Sequence, residues 1–132
     1  MRIRILDLVD QSPVLAGAPL GRTVFARLAI SAAAADGDEP IILDLTGVDV
    51  MTASFLREAV IRFRDLLASQ APARPLLVAN LTEQVAGEFD FYLGQTRDVL
   101  WSAQVDAAGV VTDRQLLGTL DSAERATLEA VE

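Results

Sequence analysis

Two short runs dominated by apolar residues, Ile41–Leu45 and Pro75–Ala79, are each followed by a segment that changes to helical spacing, and this alternation restricts the chain to few folds. A strand without the apolar/polar alternation of a half-wet sheet has to be covered on both faces, which is the usual situation in parallel sheets. After the first run, Thr46-Gly47 turns the chain. Leu56, Val60, Phe63 and Leu67 then recur at helical spacing, widened by Phe55, Ala59 and Leu66, and predict a helix over 54–67. After the second run, Asn80 and Glu83 stand at capping-box spacing and predict a helix over 81–89. Strand, helix, strand, helix in this order predicts a mainly parallel sheet flanked by helices with right-handed crossovers. At 132 residues the chain is read as a single domain, 1–132, able to hide roughly two thirds of its unfolded surface.

The flanking segments extend this α/β pattern. Arg2 and Arg4 alternate with Ile3 and Ile5, and the pattern continues less regularly to Val9; an early strand, at a sheet edge, is expected. A Pro/Gly/Ala stretch, Ala16–Gly21, leads into a helix over 22–35 carrying Val24, Phe25, Leu28 and Ala32, which stops in Asp36-Gly-Asp-Glu-Pro40. Over 95–132 a C-terminal hairpin and helix are expected. Leu100–Val105 and Val110–Leu117 flank Asp106-Ala-Ala-Gly109 as a hairpin; the competing reading makes Thr112–Gln115 a capping box for a short helix ended by Gly118. Asp121 and Glu124 have capping-box spacing, and Leu128 and Val131 suggest a terminal helix.

Composition bears on chemistry. The chain has no cysteine, no histidine and no lysine, and all eleven basic residues are arginine. Disulfides, thiolate and imidazole metal ligands, Ser-His arrangements and Schiff-base chemistry are thereby excluded. Carboxylates, hydroxyls, one tyrosine and arginine remain, so the expectation is no enzyme, no metal and no cofactor. A net charge of −8 without a clustered arginine stripe argues against nucleic acid. Charges threaded through the first nine residues are unlike a signal peptide, and no apolar run reaches bilayer length, so no membrane association and a cytoplasmic location are expected.

From Leu43 to Glu58 the chain reads Leu-Asp-Leu-Thr-Gly-Val-Asp-Val-Met-Thr-Ala-Ser-Phe-Leu-Arg-Glu. The Leu43-Asp44-Leu45 strand, the Gly47-Val48 turn, the Ser54-Phe55 pair at a helix start and Glu58 three residues later resemble STAS-like domains, relatives of bacterial anti-sigma factor antagonists. Gly21-Arg22 is also similar, and the resemblance covers about residues 20–85. It implies a non-enzymatic regulatory domain that binds a protein partner, such as a kinase-like ATPase or an anti-sigma factor. In antagonists a serine at the helix start is phosphorylated to control that partner; the position falls on Ser54, with Thr52 as the second candidate phosphoacceptor. Thr52 and Ala53 stand where antagonists have Asp-Ser, and Phe55 stands where they have glycine.

The residues themselves suggest where a partner would sit. Gly47 and Asp49 lie in the turn, while Ser54, Glu58, Ile61 and Asp65 fall at i, i+4, i+7 and i+11, a stripe expected on the side away from the apolar face. Ile61 is its one apolar member. From the residues alone Ser54 reads first as a simple N-cap, Glu58 as an i,i+4 partner of Arg62 rather than a general base, and Asp44 with Asp49 as turn residues rather than metal ligands. Phe89, Phe91, Tyr92 and Leu93 are expected in the core, with Trp101 in core or edge packing rather than at a stacked ligand. The alternative function is a sensor holding a small molecule near the strand ends.

Overall fold

The structure, a computed structural model, describes residues 1–34 and 37–118. Five strands form one sheet in the order β1-β3-β5-β6-β7: β1 (Arg2–Arg4), β3 (Ile41–Asp44), β5 (Leu76–Ala79), β6 (Leu100–Val105) and β7 (Val111–Leu117). The first four are parallel, and β7 returns antiparallel to β6. A second, two-stranded parallel sheet pairs β2 (Val14–Leu15) with β4 (Val50–Met51). Helix α1 (Ala18–Ala33) connects β2 to β3, and α3 (Glu83–Thr96) connects β5 to β6. Between β4 and β5 runs α2, continuous through Ala53–Phe55, a π-helical stretch Leu56–Ile61, and Arg62–Gln70. The α/β fold with a mainly parallel sheet and a C-terminal hairpin is the expected one.

Strand periodicity fixes where the core lies. In β3 and β5, Ile41, Leu43, Leu76 and Val78 share one cluster with Val24 and Leu28 of α1, Val60 and Phe63 of α2, and Phe89 and Leu93 of α3. The intervening Ile42 and Leu77 point to the opposite face. Because β1, β3, β5 and β6 are added in one direction, right-handed crossovers bring all three helices to the same side. Burying side chains such as Phe55, Phe63 and Phe89 is worth roughly 1.5–3 kcal/mol each, which is what fastens the helices there.

Several boundaries differ from the sequence expectation. The first strand stops at Arg4, and Ile5–Leu8 form a 3₁₀ turn that tucks Ile5 and Leu6 under the sheet; β1 is at an edge, as expected. Helix α1 starts at Ala18 because Pro19 sits in its first turn, where a missing N–H costs nothing. The cap of α3 is Thr82, whose hydroxyl accepts from Val85 N–H at 3.1 Å, and not Asn80; the helix runs to Thr96, one turn and more past Phe89, and ends on left-handed Arg97. Of the expected core aromatics, Phe89 is buried but Phe91 is 65% exposed, because it points away from the Val85, Phe89, Leu93 stripe. Between the two readings of 112–115, the structure takes the hairpin. The expected terminal helix at 121–132 lies outside the described residues.

Candidate functional site

The junction between β3 and α2 lies at the C-terminal edge of the parallel strands. Asp44 ends β3, and its carboxylate is fully buried. Oδ1 accepts from Thr46 N–H at 2.9 Å, the Thr46 hydroxyl at 2.6 Å and Asn80 Nδ2 at 3.1 Å. Oδ2 pairs with Arg2 Nε at 3.1 Å but outside hydrogen-bond geometry. Burial alone would raise this carboxyl's pKa; the hydrogen bonds from Thr46 and Asn80 and the charge of Arg2 outweigh it and hold the group below its ordinary value. Asp44 is thus a turn residue whose oxygens are committed to the fold, and among the described residues no three Asp or Glu side chains gather as a metal would need.

Asn80 is the partner that sequence spacing misassigns. Its backbone is left-handed, φ 60°, a conformation Asn tolerates. Its amide spans three strands: Nδ2 reaches Asp44 and the Val105 carbonyl, while Oδ1 accepts from Val105 N–H at 2.9 Å. The capping-box spacing to Glu83 concealed this role; the adjacent Thr82, itself a preferred cap type, was the available signal for the true helix start.

At the start of α2 the cap is Thr52, not Ser54. Thr52 Oγ1 accepts from Phe55 N–H at 3.3 Å and from Gly17 N–H at 3.0 Å, so one hydroxyl ties the helix start to the chain entering α1. Ser54 stands one position past Ala53 inside the first turn, and its hydroxyl contacts Thr52 Oγ1 at 3.3 Å. Ser54 is half-buried with Ala53 exposed beside it, and it is the less committed of the two hydroxyls. No sequence pattern links Gly17 to Thr52, 35 residues apart, so that contact was not legible.

The expected polar stripe does not survive folding. Ile61 is buried, 9% exposed, and Glu58 is half-buried against α1. The cause is the π-helical stretch, whose i→i+5 turns rotate residues out of simple i+3/i+4 register, together with the close seat of α1. A Cβ on Gly21 would lie 2.8 Å from Glu58 Cβ and 3.1 Å from the Phe55 carbonyl, so only glycine permits this approach. Glu58 pairs with Arg62 at 3.2 Å, the expected i,i+4 contact, and more loosely with Arg57 at 3.5 Å. Arg62 in turn covers the Phe25 ring at 4.4 Å. Asp65 is exposed but lies 11 residues along the helix, about 16 Å from Ser54, and is engaged by Arg64.

What the fold does expose at this end is a different set. Gly47 occupies the turn after β3 with φ 88° and is exposed, as are Thr46 and Asp49. Val14 is 48% exposed on β2, in register with half-buried Val50 of β4, and Asp49 N–H donates to the Pro13 carbonyl at 2.8 Å. The small second sheet therefore brings Asp49 and Val14 beside the capped helix start. Elsewhere, a groove of about 220 Å³ between α3 and the hairpin is lined by Leu81, Ala86, Ser102, Gln104, Asp113 and Gln115. That is below the roughly 300–1,000 Å³ of ordinary small-molecule pockets. Trp101 is half-buried and does not meet Tyr92 in a ring contact among the described residues. No helix among the described residues is long and apolar enough to cross a membrane.

A family model described as a STAS-like domain of unknown function (DUF4325) matches residues 21–86, from the glycine at which α1 meets α2 to the first turn of α3. No curated protein and no solved structure matches the chain.

Proposed function

The chain belongs to the STAS-like domain family, and from that premise we propose that it is a non-enzymatic, cytoplasmic regulatory domain that binds a protein partner at the start of α2. The partner is a regulatory protein of the kinase-like ATPase or anti-sigma factor kind, in a bacterial partner-switching pair. The observation that carries this reading is the edge formed by Asp49, Val14, Ala53 and Ser54, held rigid by the Thr52 hydroxyl on Gly17 and Phe55. It offers a small apolar patch, a carboxylate and a lightly held hydroxyl, without the convergent acid–base groups an enzyme would need.

Ser54 is the switch position. A phosphate there sits in the first turn of a helix, where the dipole favours an anion, and three residues before Arg57. On this face Glu58 is bracketed by Arg57 and Arg62. Phosphorylated Ser54 would compete with Glu58 for Arg57 and change the charge presented to a partner by about two units. The test is a binding titration of unmodified protein, Ser54→Glu and Asp49→Arg against a kinase-like ATPase of the anti-sigma factor kind. Weaker binding by both variants supports the reading; unchanged binding by both defeats it. The sensor alternative places a small molecule in the groove between α3 and the hairpin, and a ligand-dependent rise in melting temperature that Gln115→Leu abolishes would favour it.

A further inference from the structure

Helix α1 is apolar on both sides. Val24 and Leu28 enter the core, while Thr23, Ala26, Ile30 and Ala33 are exposed on the outward side, Ile30 by 71%. The Thr23 hydroxyl is itself turned back onto the Pro19 carbonyl at 3.2 Å. A helix apolar all round ordinarily has neighbours on both sides. The only charges on α1 are Arg22 and Arg27, so in a chain of net charge −8 this helix carries no carboxylate. Helix α3 is its counterpart. Phe91 is 65% exposed on the outward side, Gly87 one turn before it has open space at its Cβ position, and the helix carries Glu83, Glu88 and Asp90 with no basic residue. Arg27 is held by the Leu8 carbonyl and Asp90 by Gly118 N–H, but Arg22, Glu83 and Glu88 make no ion pair among the described residues.

We propose that the outward face of α1 docks on the outward face of α3 in a second copy of this chain. Within one copy α1 packs on α2 at Gly21, and α2 reaches the end of α3 through Arg64 and Asp98, so α2 stands between the two faces. Each chain thus carries both halves of the contact without joining them itself. The shapes match: Ile30 and Phe91 are the large apolar side chains, and Ala26, Ala33 and Gly87 are the low ground beside them, so each large residue has a small one to sit over. The charges match as well. Arginine on α1 meets carboxylate on α3, whereas α1 on α1 would set arginine against arginine and α3 on α3 carboxylate against carboxylate. Because the two patches differ, the contact is heterologous and a pair still has one free patch at each end. Each patch is one helix wide, below the roughly 800 Å² per partner of a stable interface, so the assembly is weak and depends on concentration. It does not involve Ser54 and stands apart from the partner-binding edge.

The experiment is sedimentation equilibrium of the full chain, of Ile30→Asp, of Phe91→Gln, and of an equimolar mixture of the two variants, at concentrations up to about 1 mM. Far-UV circular dichroism and thermal unfolding establish that each is folded; Ile30→Ala or Phe91→Ala replaces a variant that is not. The unmodified chain is expected to grow past a dimer as concentration rises, and each variant alone to associate roughly tenfold or more weakly. The mixture should form a one-to-one pair and stop there, because Ile30→Asp keeps an intact α3 face and Phe91→Gln an intact α1 face. An unmodified chain that stays monomeric throughout overturns the proposal. Loss of association in one variant only, with the other assembling like the unmodified chain, assigns the contact to a symmetric pairing of a single face and also overturns it. A mixture no more associated than its two components does the same.

Discussion

Replacing Thr52 by valine keeps the volume and branching of the side chain but removes an oxygen that accepts two backbone N–H groups, those of Phe55 at 3.3 Å and Gly17 at 3.0 Å. Loss of a helix cap costs about 1 kcal/mol, and leaving the half-buried Gly17 N–H without its acceptor adds about 1–2 kcal/mol. Thr52→Val should therefore destabilise by about 2–3 kcal/mol, and Thr52→Ala by the same with a further small packing loss. Thr52→Ser retains the oxygen and should cost less than about 0.5 kcal/mol. Ser54→Ala removes only a hydroxyl whose neighbour is Thr52 itself and should lie within about 0.5 kcal/mol of the unmodified chain. Urea unfolding with a shared slope measures all four. For 132 residues, each kcal/mol corresponds to about 3–5 °C in Tm. A Ser54→Ala loss equal to that of Thr52→Val, or a neutral Thr52→Val, would refute the assignment of the cap and of the Gly17 tie.

Glycine substitutions at two helical positions should move in opposite directions: Gly87→Ala, with open space around its Cβ, should stabilise by about 0.5–1 kcal/mol. Gly21→Ala gains the same propensity but forces α1 from α2 at overpacking costs of about 1–3 kcal/mol, so a net loss is expected in thermal unfolding. Stability should also fall in acid. Arg64 grips Asp98 through two bonds of 2.7 Å and lowers its pKa against the opposing effect of burial, with Val99 N–H assisting; Asp44 is lowered as well. A carboxyl depressed in the folded state contributes stability that is complete above its unfolded value near 3.9 and is lost as pH falls through the folded value. Tm should hold steady above about pH 5 and decline below about pH 4, and Asp98→Asn should flatten that decline while lowering Tm at neutral pH. Asp44→Ala, which leaves the Thr46 and Asn80 donors facing a hole while Arg2 stays solvated, should cost about 1–3 kcal/mol in chemical unfolding.

Apolar periodicity identified the layers of this molecule because burial of Leu43, Val78, Phe63 and Phe89 drives the packing of helices on the sheet and leaves a direct trace in spacing. Boundaries were less legible where local chemistry had two solutions: Asn80 and Thr82 are both cap types near Glu83, and only the tertiary demand of Asp44 and Val105 draws Asn80 into the strand network. At the start of α2 the junction was legible and the side chains were not. Thr52 and Ser54 are equivalent cap types until Gly17, distant in sequence, selects Thr52. The helix face at Ile61 was misjudged because the fixed 100° step assumed for a helix fails in a π-helical stretch, and nothing in Leu56–Ile61 announces that stretch before α1 packs against it.

That the start of α2 is a regulated protein-binding edge is tested most directly by incubating the chain with a kinase-like ATPase of the anti-sigma factor kind, ATP and Mg²⁺, then mapping phosphate by mass spectrometry and measuring complex formation before and after. Phosphate is expected on Ser54 and absent in Ser54→Ala, with partner binding weakened by the modification. Phosphate at a distant site, or no phosphate together with binding insensitive to Ser54→Glu and Asp49→Arg, would contradict the assignment.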